Sequence, residues 1–170
     1  MKGTVLIDRD GTLIIEKNYL SKVDDVELIN KAGLAIANLN KSEFNVFVVS
    51  NQSGIGRGFF NEKDLLEIHK KIDEILNIHG AKIDGYYHCP HSPIETPKCD
   101  CRKPNIGLFK KIKETRKIHP SNIWMIGDKI TDIDFAINAN IKPILVRTGY
   151  GSKVINFKGP VMQSIYEASN

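Results

Sequence analysis

Five short apolar segments recur along the chain, and each has the length and composition of a buried β-strand. Between them lie longer segments whose apolar residues recur at the three- and four-residue spacing of an amphipathic helix. This alternation predicts an α/β fold in which helices cover both faces of a parallel sheet. The predicted strands are Thr4–Ile7, Asn45–Ser50, Ile83–His88, Ile123–Ile126 and Pro143–Val146.

Four segments carry the helical spacing, and polar residues or glycine mark some of their ends. Asn61 is the predicted N-cap of the second helix, and Gly80 is its predicted stop. Thr131 is predicted to cap the last helix. The predicted helices are Leu28–Leu39, Lys63–Ile78, Phe109–Ile118 and Thr131–Asn140.

Two segments interrupt this alternation, residues 11–25 and residues 89–104, and both are too long for tight turns. Long ordered loops in a compact domain are usually functional, so we expect both to lie near a site. No repeat, low-complexity tract or linker divides the chain. We therefore expect a single domain over residues 1–170, with little room for a second.

The composition is ordinary for a globular protein, since 41% of the 170 residues are hydrophobic and 26% are charged. No apolar run approaches the ~20 residues of a membrane span, and no signal-peptide pattern is present, so we expect a cytoplasmic protein. The net charge of +4 is spread along the chain. This favours an anionic ligand but is too diffuse to indicate nucleic acid.

Two aspartates, Asp8 and Asp10, end the first apolar strand one residue apart. Ligands of open α/β sheets bind at the carboxyl ends of the strands, and side chains at i and i+2 of extended chain point the same way. The repulsion between the two carboxylates is most simply offset by a divalent metal ion. The alternative is a polar turn that follows a strand.

The fourth predicted strand leads to another aspartate at the same edge of the sheet. Gly127 permits a tight turn there, Asp128 follows it, and Asp132 comes four residues later. Alone, Asp128 could be a turn residue or an N-cap. Together with the first two aspartates it forms an oxygen-rich set that suits Mg²⁺.

The second predicted strand ends in Ser50 and runs into a glycine-rich segment, residues 51–58. Glycines allow backbone N–H groups to approach an anion, and Ser50 adds a donor at the sheet edge. Arg57 could add a bidentate grip on phosphate. Because glycine-rich turns before helices are common, this segment is informative only beside the aspartates.

Three cysteines and one histidine cluster in the segment 89–104. An odd number of cysteines in a chain expected in the cytoplasm argues against a disulfide framework. Three thiolates and one imidazole suit tetrahedral zinc, and four protein ligands leave no open position, so the metal is expected to be structural. The alternative is a set of incidental buried cysteines. The candidate ligands are Cys89, His91, Cys99 and Cys101.

Two cations, Arg102 and Lys103, follow the last cysteine, and Pro104 is predicted to open a helix. A lysine at a helix N-terminus is not stabilised by the helix dipole, so the placement indicates an anion between the two cations. An isolated Arg-Lys pair would usually be part of a solvated surface.

In their chain order, these motifs resemble those of the haloacid dehalogenase superfamily of phosphatases, and the resemblance covers nearly the whole chain. It implies a three-layer Rossmann-like fold with a central parallel sheet. The chain leaves no room for a separate cap domain, and the cysteine segment is expected to form a zinc-stabilised loop. The motifs are Asp8-Arg9-Asp10-Gly11-Thr12, Ser50 at a strand end, Lys103, and Gly127-Asp128 followed by Asp132.

The resemblance also implies roles for these residues. The first aspartate, Asp8, would attack phosphorus to form an aspartyl-phosphate that water then hydrolyses, with Asp10 as general acid and then general base. Ser50 and Lys103 would stabilise the phosphoryl oxygens. Mg²⁺ would be held by Asp8, the backbone carbonyl of Asp10 and Asp128.

The cysteine loop resembles the zinc loop shared by heptose-bisphosphate and histidinol-phosphate phosphatases. Arg57 and Arg102 match the heptose-bisphosphate branch. That branch implies removal of the 7-phosphate from a heptose 1,7-bisphosphate, on the way to nucleotide-activated heptose for lipopolysaccharide or another surface glycan. The implied substrate contacts are Glu16, Lys17, Asn18, Tyr19, Ser50, Asn51, Gln52, Ser53, Arg57, Arg102, Lys103 and Lys129.

Two other functions stay open at this point. A histidinol-phosphate phosphatase would use the same chemistry on an amino alcohol, and a zinc-stabilised phosphate-binding module would retain the fold without catalysis. A nucleic-acid-end phosphatase is disfavoured because no basic groove with aromatic stacking platforms is evident. We expect a monomer that acts on a small sugar bisphosphate, with no nucleic-acid or membrane partner.

Overall fold

The computed structural model of the chain describes residues 2–94 and 99–170. These residues form one sheet of six parallel strands, which run in the spatial order β3-β2-β1-β4-β5-β6. The order reverses at β1, which pairs with β2 on one side and β4 on the other. A crevice for ligands is expected at such a reversal. The strands are β1 (Gly3–Ile7), β2 (Phe44–Asn51), β3 (Gly85–Cys89), β4 (Ile123–Gly127), β5 (Lys142–Val146) and β6 (Val161–Met162).

Helices cover both faces of this sheet and complete the predicted three layers. Side chains alternate across β1, so Val5 and Ile7 enter one apolar cluster while Leu6 enters the other. The first cluster includes residues of α1, α3 and α6, and the second includes residues of α4 and α5. The helices are α1 (Ala32–Lys41), α2 (Ser53–Gly56), α3 (Glu62–Ile78), α4 (Gly107–Thr115), α5 (Ile130–Asn138) and α6 (Ile165–Ala168).

The ends of α3 confirm two predictions. The Asn61 side chain accepts hydrogen bonds from the backbone N–H groups of Lys63 and Asp64, at 2.8 and 3.1 Å. Beyond the last turn, Gly80 adopts a positive φ of 66°, the conformation that commonly ends a helix. The helix therefore begins and stops where the sequence indicates.

Two predicted helix starts are wrong. Pro104 does not open a helix; it lies in a turn closed by the Asn105 N–H and the Arg102 carbonyl at 2.8 Å, and α4 begins only at Gly107. Thr131 does not cap α5, because Lys129 is the N-cap and its N–H donates to the Asp132 carboxylate at 3.0 Å. The carboxylate of Asp132, in the first turn of α5, thus makes a capping hydrogen bond in place of the hydroxyl of Thr131.

Other boundaries differ where tertiary pairing overrides the local pattern. Leu28, the predicted start of the first helix, instead pairs with Ile14 in an isolated bridge, and Lys31 before α1 has a left-handed φ of 61°. The predicted helix Phe109–Ile118 corresponds to α4, which begins and ends earlier. The short elements α2, β6 and α6 were not predicted. None of the described helices has the length and hydropathy needed to cross a membrane.

Candidate active site

The predicted chemical residues meet at the carboxyl edge of the central strands. Asp8 follows β1, Ser50 lies near the end of β2, and Asp128 follows β4. In front of them lies a cavity of about 510 Å³. The structure confirms the proximity that the strand ends predicted. The predicted site residues that line the cavity are Asp8, Asp10, Glu16, Asn18, Tyr19, Asn51, Gln52, Ser53, Arg102, Lys103 and Lys129.

Besides the four candidate zinc ligands, four predicted site residues lie outside that lining. Asp128 and Ser50 are buried behind the cavity, and the Ser50 hydroxyl has no hydrogen-bond partner among the described residues. Lys17 pairs with Glu27 at 3.6 Å, with much of its side chain exposed. The Arg57 guanidinium lies 5.9 Å from the centre of the Tyr19 ring. Ser50 therefore lies at the sheet edge with a hydroxyl that has no partner among the described residues, but it does not line the cavity.

Lys103 lies at the centre of the site and is almost fully buried. Its ammonium contacts the carboxylates of Asp8 and Asp132, at 2.8 and 2.6 Å, and donates to the Val49 carbonyl at 2.6 Å. Burial alone would lower the pKa of Lys103, but Asp132 and Asp8 outweigh burial and raise it. Lys103 is therefore a fixed positive charge beside Asp8.

Asn51 holds the backbone of Lys103 in place. The Lys103 N–H donates to the Asn51 side-chain oxygen at 2.9 Å, and the Asn51 amide donates back to the Lys103 carbonyl at 3.0 Å. Both polar atoms of this side chain are used within the protein. Asn51 thus fixes the position of the buried ammonium from the end of β2.

Asp8 is buried and ionised. Burial alone would raise the pKa of Asp8, but the ammonium groups of Lys103 and Lys129 lower it to about 2. The Asp8 carboxylate therefore carries its negative charge throughout the neutral pH range. A buried carboxylate held ionised by neighbouring cations has the charge state that a nucleophile requires.

Asp128 lies deeper than Asp8, under two glycines with positive φ. A Cβ on Gly11 or Gly149 would lie 2.3 or 2.2 Å from the Asp128 oxygen Oδ2, so only glycine allows this approach. The same oxygen accepts the Tyr150 N–H at 2.8 Å. Burial, followed by the nearby Asp8 carboxylate, raises the pKa of Asp128 to about 7.

The carboxylates of Asp8, Asp128 and Asp132 fit a small divalent cation. Each offers an oxygen, and these oxygens all lie within 4.8 Å of one another. Oxygen Oδ1 of Asp128 is buried without a hydrogen-bond partner among the described residues. Oxygen-only donor sets suit Mg²⁺, and a bound dication would favour the ionised form of Asp128.

The ammonium of Lys129 lies among the oxygens predicted to hold Mg²⁺. It is 3.4 Å from Asp8 Oδ2, 3.1 Å from the Asp10 carbonyl and 3.5 Å from Asp128 Oδ1. The same nitrogen lies 3.4 Å from the Glu16 carboxylate. The ammonium of Lys129 thus lies among the three predicted Mg²⁺ ligands and offsets part of their negative charge.

The rim of the cavity is formed by the 11–25 loop and the segment after β5. Asn18 and Tyr19 have positive φ values of 44° and 59°, an uncommon conformation for such residues that is often found at functional sites. The Tyr150 hydroxyl donates to the Asn18 side chain at 3.4 Å, and the Tyr19 ring packs edge-on against Phe59. This rim presents polar and aromatic groups to a ligand.

The predicted zinc ligands come together in one cluster. Their sulfur and Nδ1 atoms approach one another at distances from 2.9 to 3.6 Å. No carboxylate belongs to the group, and its nitrogen and sulfur donors match those of a four-coordinate zinc site. The ligand atoms are those of Cys89, His91, Cys99 and Cys101. The predicted loop also includes residues 95–98, which lie outside the described residues.

The Cys/His cluster is connected directly to the cavity. The Arg102 guanidinium donates to the His91 carbonyl at 3.2 Å, and the Asn105 amide donates to the Cys99 carbonyl at 2.7 Å. The cluster thus anchors both sides of the segment that carries Arg102 and Lys103. A metal there would hold these two cations toward the cavity.

Asp132 and Arg9 contact key residues of the site, but neither of them could be assigned a role from the sequence. The Asp132 carboxylate pairs with Lys103, and Arg9 contacts Asp10. The spacing of Asp132 after Asp128 placed it near the site but did not reveal its partner. Arg9, between two aspartates, gave no signal because a charged residue in a polar loop is usually solvated.

Comparison with known proteins places these observations in context. A family model described as HAD-hydrolase-like matches residues 100–159. The D-glycero-beta-D-manno-heptose-1,7-bisphosphate 7-phosphatase of Haemophilus ducreyi is 39% identical over 154 residues, which are 87% of this chain and 85% of that protein. The protein of the same name from Escherichia coli strain K12 is 36% identical over 151 residues, covering 85% of this chain and 79% of its own.

A solved structure shows the same similarity in three dimensions. The D,D-heptose 1,7-bisphosphate phosphatase from B. bronchiseptica, complexed with magnesium and phosphate, matches with a TM-score of 0.90 and 28% sequence identity. The match covers 98% of this chain and 96% of that chain. The similarity therefore extends well beyond the residues of the site.

Proposed function

Because the chain belongs to the haloacid dehalogenase-like hydrolase family, we propose that it is a Mg²⁺-dependent phosphomonoesterase that acts on a sugar bisphosphate. We place its reaction at the 7-phosphate of D-glycero-D-manno-heptose 1,7-bisphosphate, in the synthesis of nucleotide-activated heptose. The observation that supports this most directly is the ionised, buried Asp8 held between two ammonium groups at the cavity floor. The proposed location is the cytoplasm, and the proposed state is a monomer.

In the proposed reaction, an oxygen of Asp8 attacks phosphorus and the bond to the sugar oxygen breaks. Asp10 gives its proton to that oxygen, and an aspartyl-phosphate remains on Asp8. Asp10 then takes a proton from water, which attacks phosphorus, releases inorganic phosphate and regenerates the Asp8 carboxylate. One carboxyl group thus serves both steps.

Charge stabilisation in this reaction falls to Lys103 and Ser50. The ammonium of Lys103 already contacts Asp8, so it would lie beside the oxygens of a phosphoryl group transferred there. Asp132 keeps Lys103 in that position from the other side. When bound by Asp8, the Asp10 carbonyl and Asp128, Mg²⁺ would supply further neutralisation of the phosphoryl charge.

The sugar would occupy the rim of the open cavity. Glu16, Asn18 and Tyr19 line it on one side and can contact hydroxyl groups. Arg102 and Lys129 also line it and provide positive charge for an anionic substrate. Among the described residues there is no inserted cap domain, so the chain's own loops would shape specificity.

We expect Mg²⁺-dependent release of phosphate from the 7-position of heptose 1,7-bisphosphate. This release should exceed the release from histidinol phosphate by at least about tenfold in kcat/KM. A tenfold ratio corresponds to a difference of about 1.4 kcal/mol in the stabilisation of the two transition states. The assay compares both substrates and a 5′-phosphorylated oligonucleotide, with Mg²⁺ and with a chelator.

Each result of this assay has a distinct meaning. Faster hydrolysis of histidinol phosphate would replace the proposed substrate while retaining the chemistry. Failure to release phosphate from any of the three with Mg²⁺ would support the non-catalytic phosphate-binding module instead. Equal rates with and without chelator would contradict the role of the metal.

We further propose that the Cys/His cluster holds one structural zinc ion. Metal analysis of the purified protein should give about one zinc per chain, and Cys99→Ser should lower both zinc content and thermal stability. Ser92→Ala, a substitution at a buried residue of the same loop outside the ligand set, is the matched control. Unchanged stability after zinc removal would show that the ion has no structural role.

A further inference from the structure

Arg9 is buried between the two aspartates of the first motif, with only 1% of its surface exposed. Its guanidinium donates to both oxygens of the neighbouring Asp10, from Nε to Oδ2 at 3.0 Å and from Nη2 to Oδ1 at 2.9 Å. This is the bidentate fork by which arginine holds a carboxylate in a fixed plane. Among the described residues, the Arg9 side chain hydrogen-bonds to Asp10 and Gln52 alone.

Gln52 closes this arrangement from the segment that follows the neighbouring strand, β2. Its side-chain oxygen accepts from Arg9 Nη2 at 3.0 Å, and its amide donates to Asp10 Oδ2 at 2.9 Å. The Gln52 backbone is itself fixed, since its N–H donates to the Cys89 carbonyl at the end of β3. Gln52 is 4% exposed, so little freedom remains for its side chain.

These contacts give the two carboxylate oxygens of Asp10 different numbers of hydrogen bonds. An ionised carboxylate has about four lone-pair positions, two on each oxygen. Oxygen Oδ2 of Asp10 uses both of its positions, one for Arg9 and one for Gln52, whereas Oδ1 uses one for Arg9. One position remains, and it belongs to Oδ1. The Asp10 side chain is 16% exposed and lines the cavity.

We propose that Arg9 and Gln52 are positioning residues that make Asp10 Oδ1 the oxygen that exchanges the proton in both steps of the reaction. The inference rests on the proposed phosphatase function. In the first step the Oδ1–H bond breaks as the proton passes to the oxygen leaving phosphorus. In the second step water gives a proton to the same lone pair as its oxygen bonds to phosphorus.

The two partners have complementary effects on this exchange. The Arg9 fork holds both oxygens of Asp10 in one plane and so fixes the direction of Oδ1. The Gln52 amide occupies the second position on Oδ2, so the free position for a proton is on Oδ1. Arg9 and Gln52 thus orient the carboxyl group, whereas Asp10 itself exchanges the proton.

The test compares leaving groups that differ in their need for a proton. An alkyl phosphate such as the sugar bisphosphate leaves as a strongly basic alkoxide, whereas p-nitrophenolate leaves without assistance. For Arg9→Met we expect kcat/KM to fall about 10²-fold on the alkyl phosphate, a typical contribution of general acid catalysis, and less than about threefold on p-nitrophenyl phosphate. Arg9→Lys should show the same selectivity with a smaller loss.

A double-mutant cycle with Asp10→Asn isolates the positioning role. Once Asp10 cannot donate a proton, removing Arg9 should cost no further activity on the alkyl phosphate, so the two effects should not add. Gln52→Met should reproduce the leaving-group selectivity to a smaller extent. Thermal unfolding is measured for each variant, and Arg9→Lys and Gln52→Met test the proposal even if Arg9→Met fails to fold.

The outcomes separate the inference from the function on which it rests. Equal losses on both phosphates, or additive losses with Asp10→Asn, would show a general structural role and overturn the inference. A gain in activity on removal of Arg9 would show that the fork restrains Asp10, and would also overturn it. A wild-type protein that hydrolyses neither phosphate with Mg²⁺ would instead contradict the proposed function itself.

Discussion

Replacing Asp8 with asparagine should abolish phosphate release, with a loss of at least about 10⁴-fold in kcat, the scale expected when a covalent nucleophile is removed. The amide is uncharged and a poor nucleophile, so the aspartyl-phosphate cannot form. The measurement is steady-state release of inorganic phosphate with Mg²⁺. Rapid quenching with substrate should trap phosphate on the wild-type chain and none on the variant.

The fold should survive this substitution, because Lys103 keeps Asp132 as its partner. The folded pKa of Asp8, about 2, lies below its ordinary value, so its ionised form stabilises the fold above pH 4, and this contribution disappears as the pH falls toward 2. We therefore expect a moderate decrease in stability at pH 7, of about 2 kcal/mol. Asp24→Asn, at an exposed position with the same loss of charge, is the matched control. Turnover retained by pure Asp8→Asn protein would contradict the mechanism.

Replacing Lys103 with methionine should damage both catalysis and stability. Loss of the ammonium leaves two buried carboxylates, Asp8 and Asp132, without their shared counterion, which costs about 3–5 kcal/mol when a buried pair is broken. Loss of the contact that we propose between Lys103 and the phosphoryl oxygens should lower kcat by about 10²–10³-fold. Urea unfolding and phosphate release measure the two effects separately.

Lys110→Met on α4 provides the comparison, since Lys110 is exposed and none of the ion pairs among the described residues involves it. It should leave both stability and turnover close to wild type. If Lys103→Met were as stable as wild type, the ion pairs of Lys103 with Asp8 and Asp132 would not stabilise the fold. If it were stable and fully active, Lys103 would have no part in the reaction.

The strand ends could be predicted because their signal is local. A run of apolar residues that stops at Asp8, Ser50 or Asp128 defines both a buried strand and the edge at which its polar residue lies. The cysteine spacing was similarly sufficient to assemble the four candidate zinc ligands. These features need no knowledge of distant partners.

The contacts between these groups could not be predicted, because their partners are separated in the chain. Lys103 meets Asp132 through the packing of two elements that the sequence leaves far apart. The false helix start at Pro104 has a related cause: the backbone there is held by Asn51 and by the cysteine loop rather than by a helix. Tertiary contacts thus determine the backbone conformation there, although the local sequence favours the start of a helix.

The position of Lys129 joins the buried carboxylates to the rim of the cavity. Its ammonium lies 3.4 Å from Asp8 Oδ2 and 3.5 Å from Asp128 Oδ1, so it offsets part of the repulsion between these two carboxylates. The same nitrogen lies 3.4 Å from the Glu16 carboxylate at the rim. One cation is thus shared between the cavity floor and its entrance, and a change of charge at Glu16 would alter the electrostatics of both buried aspartates.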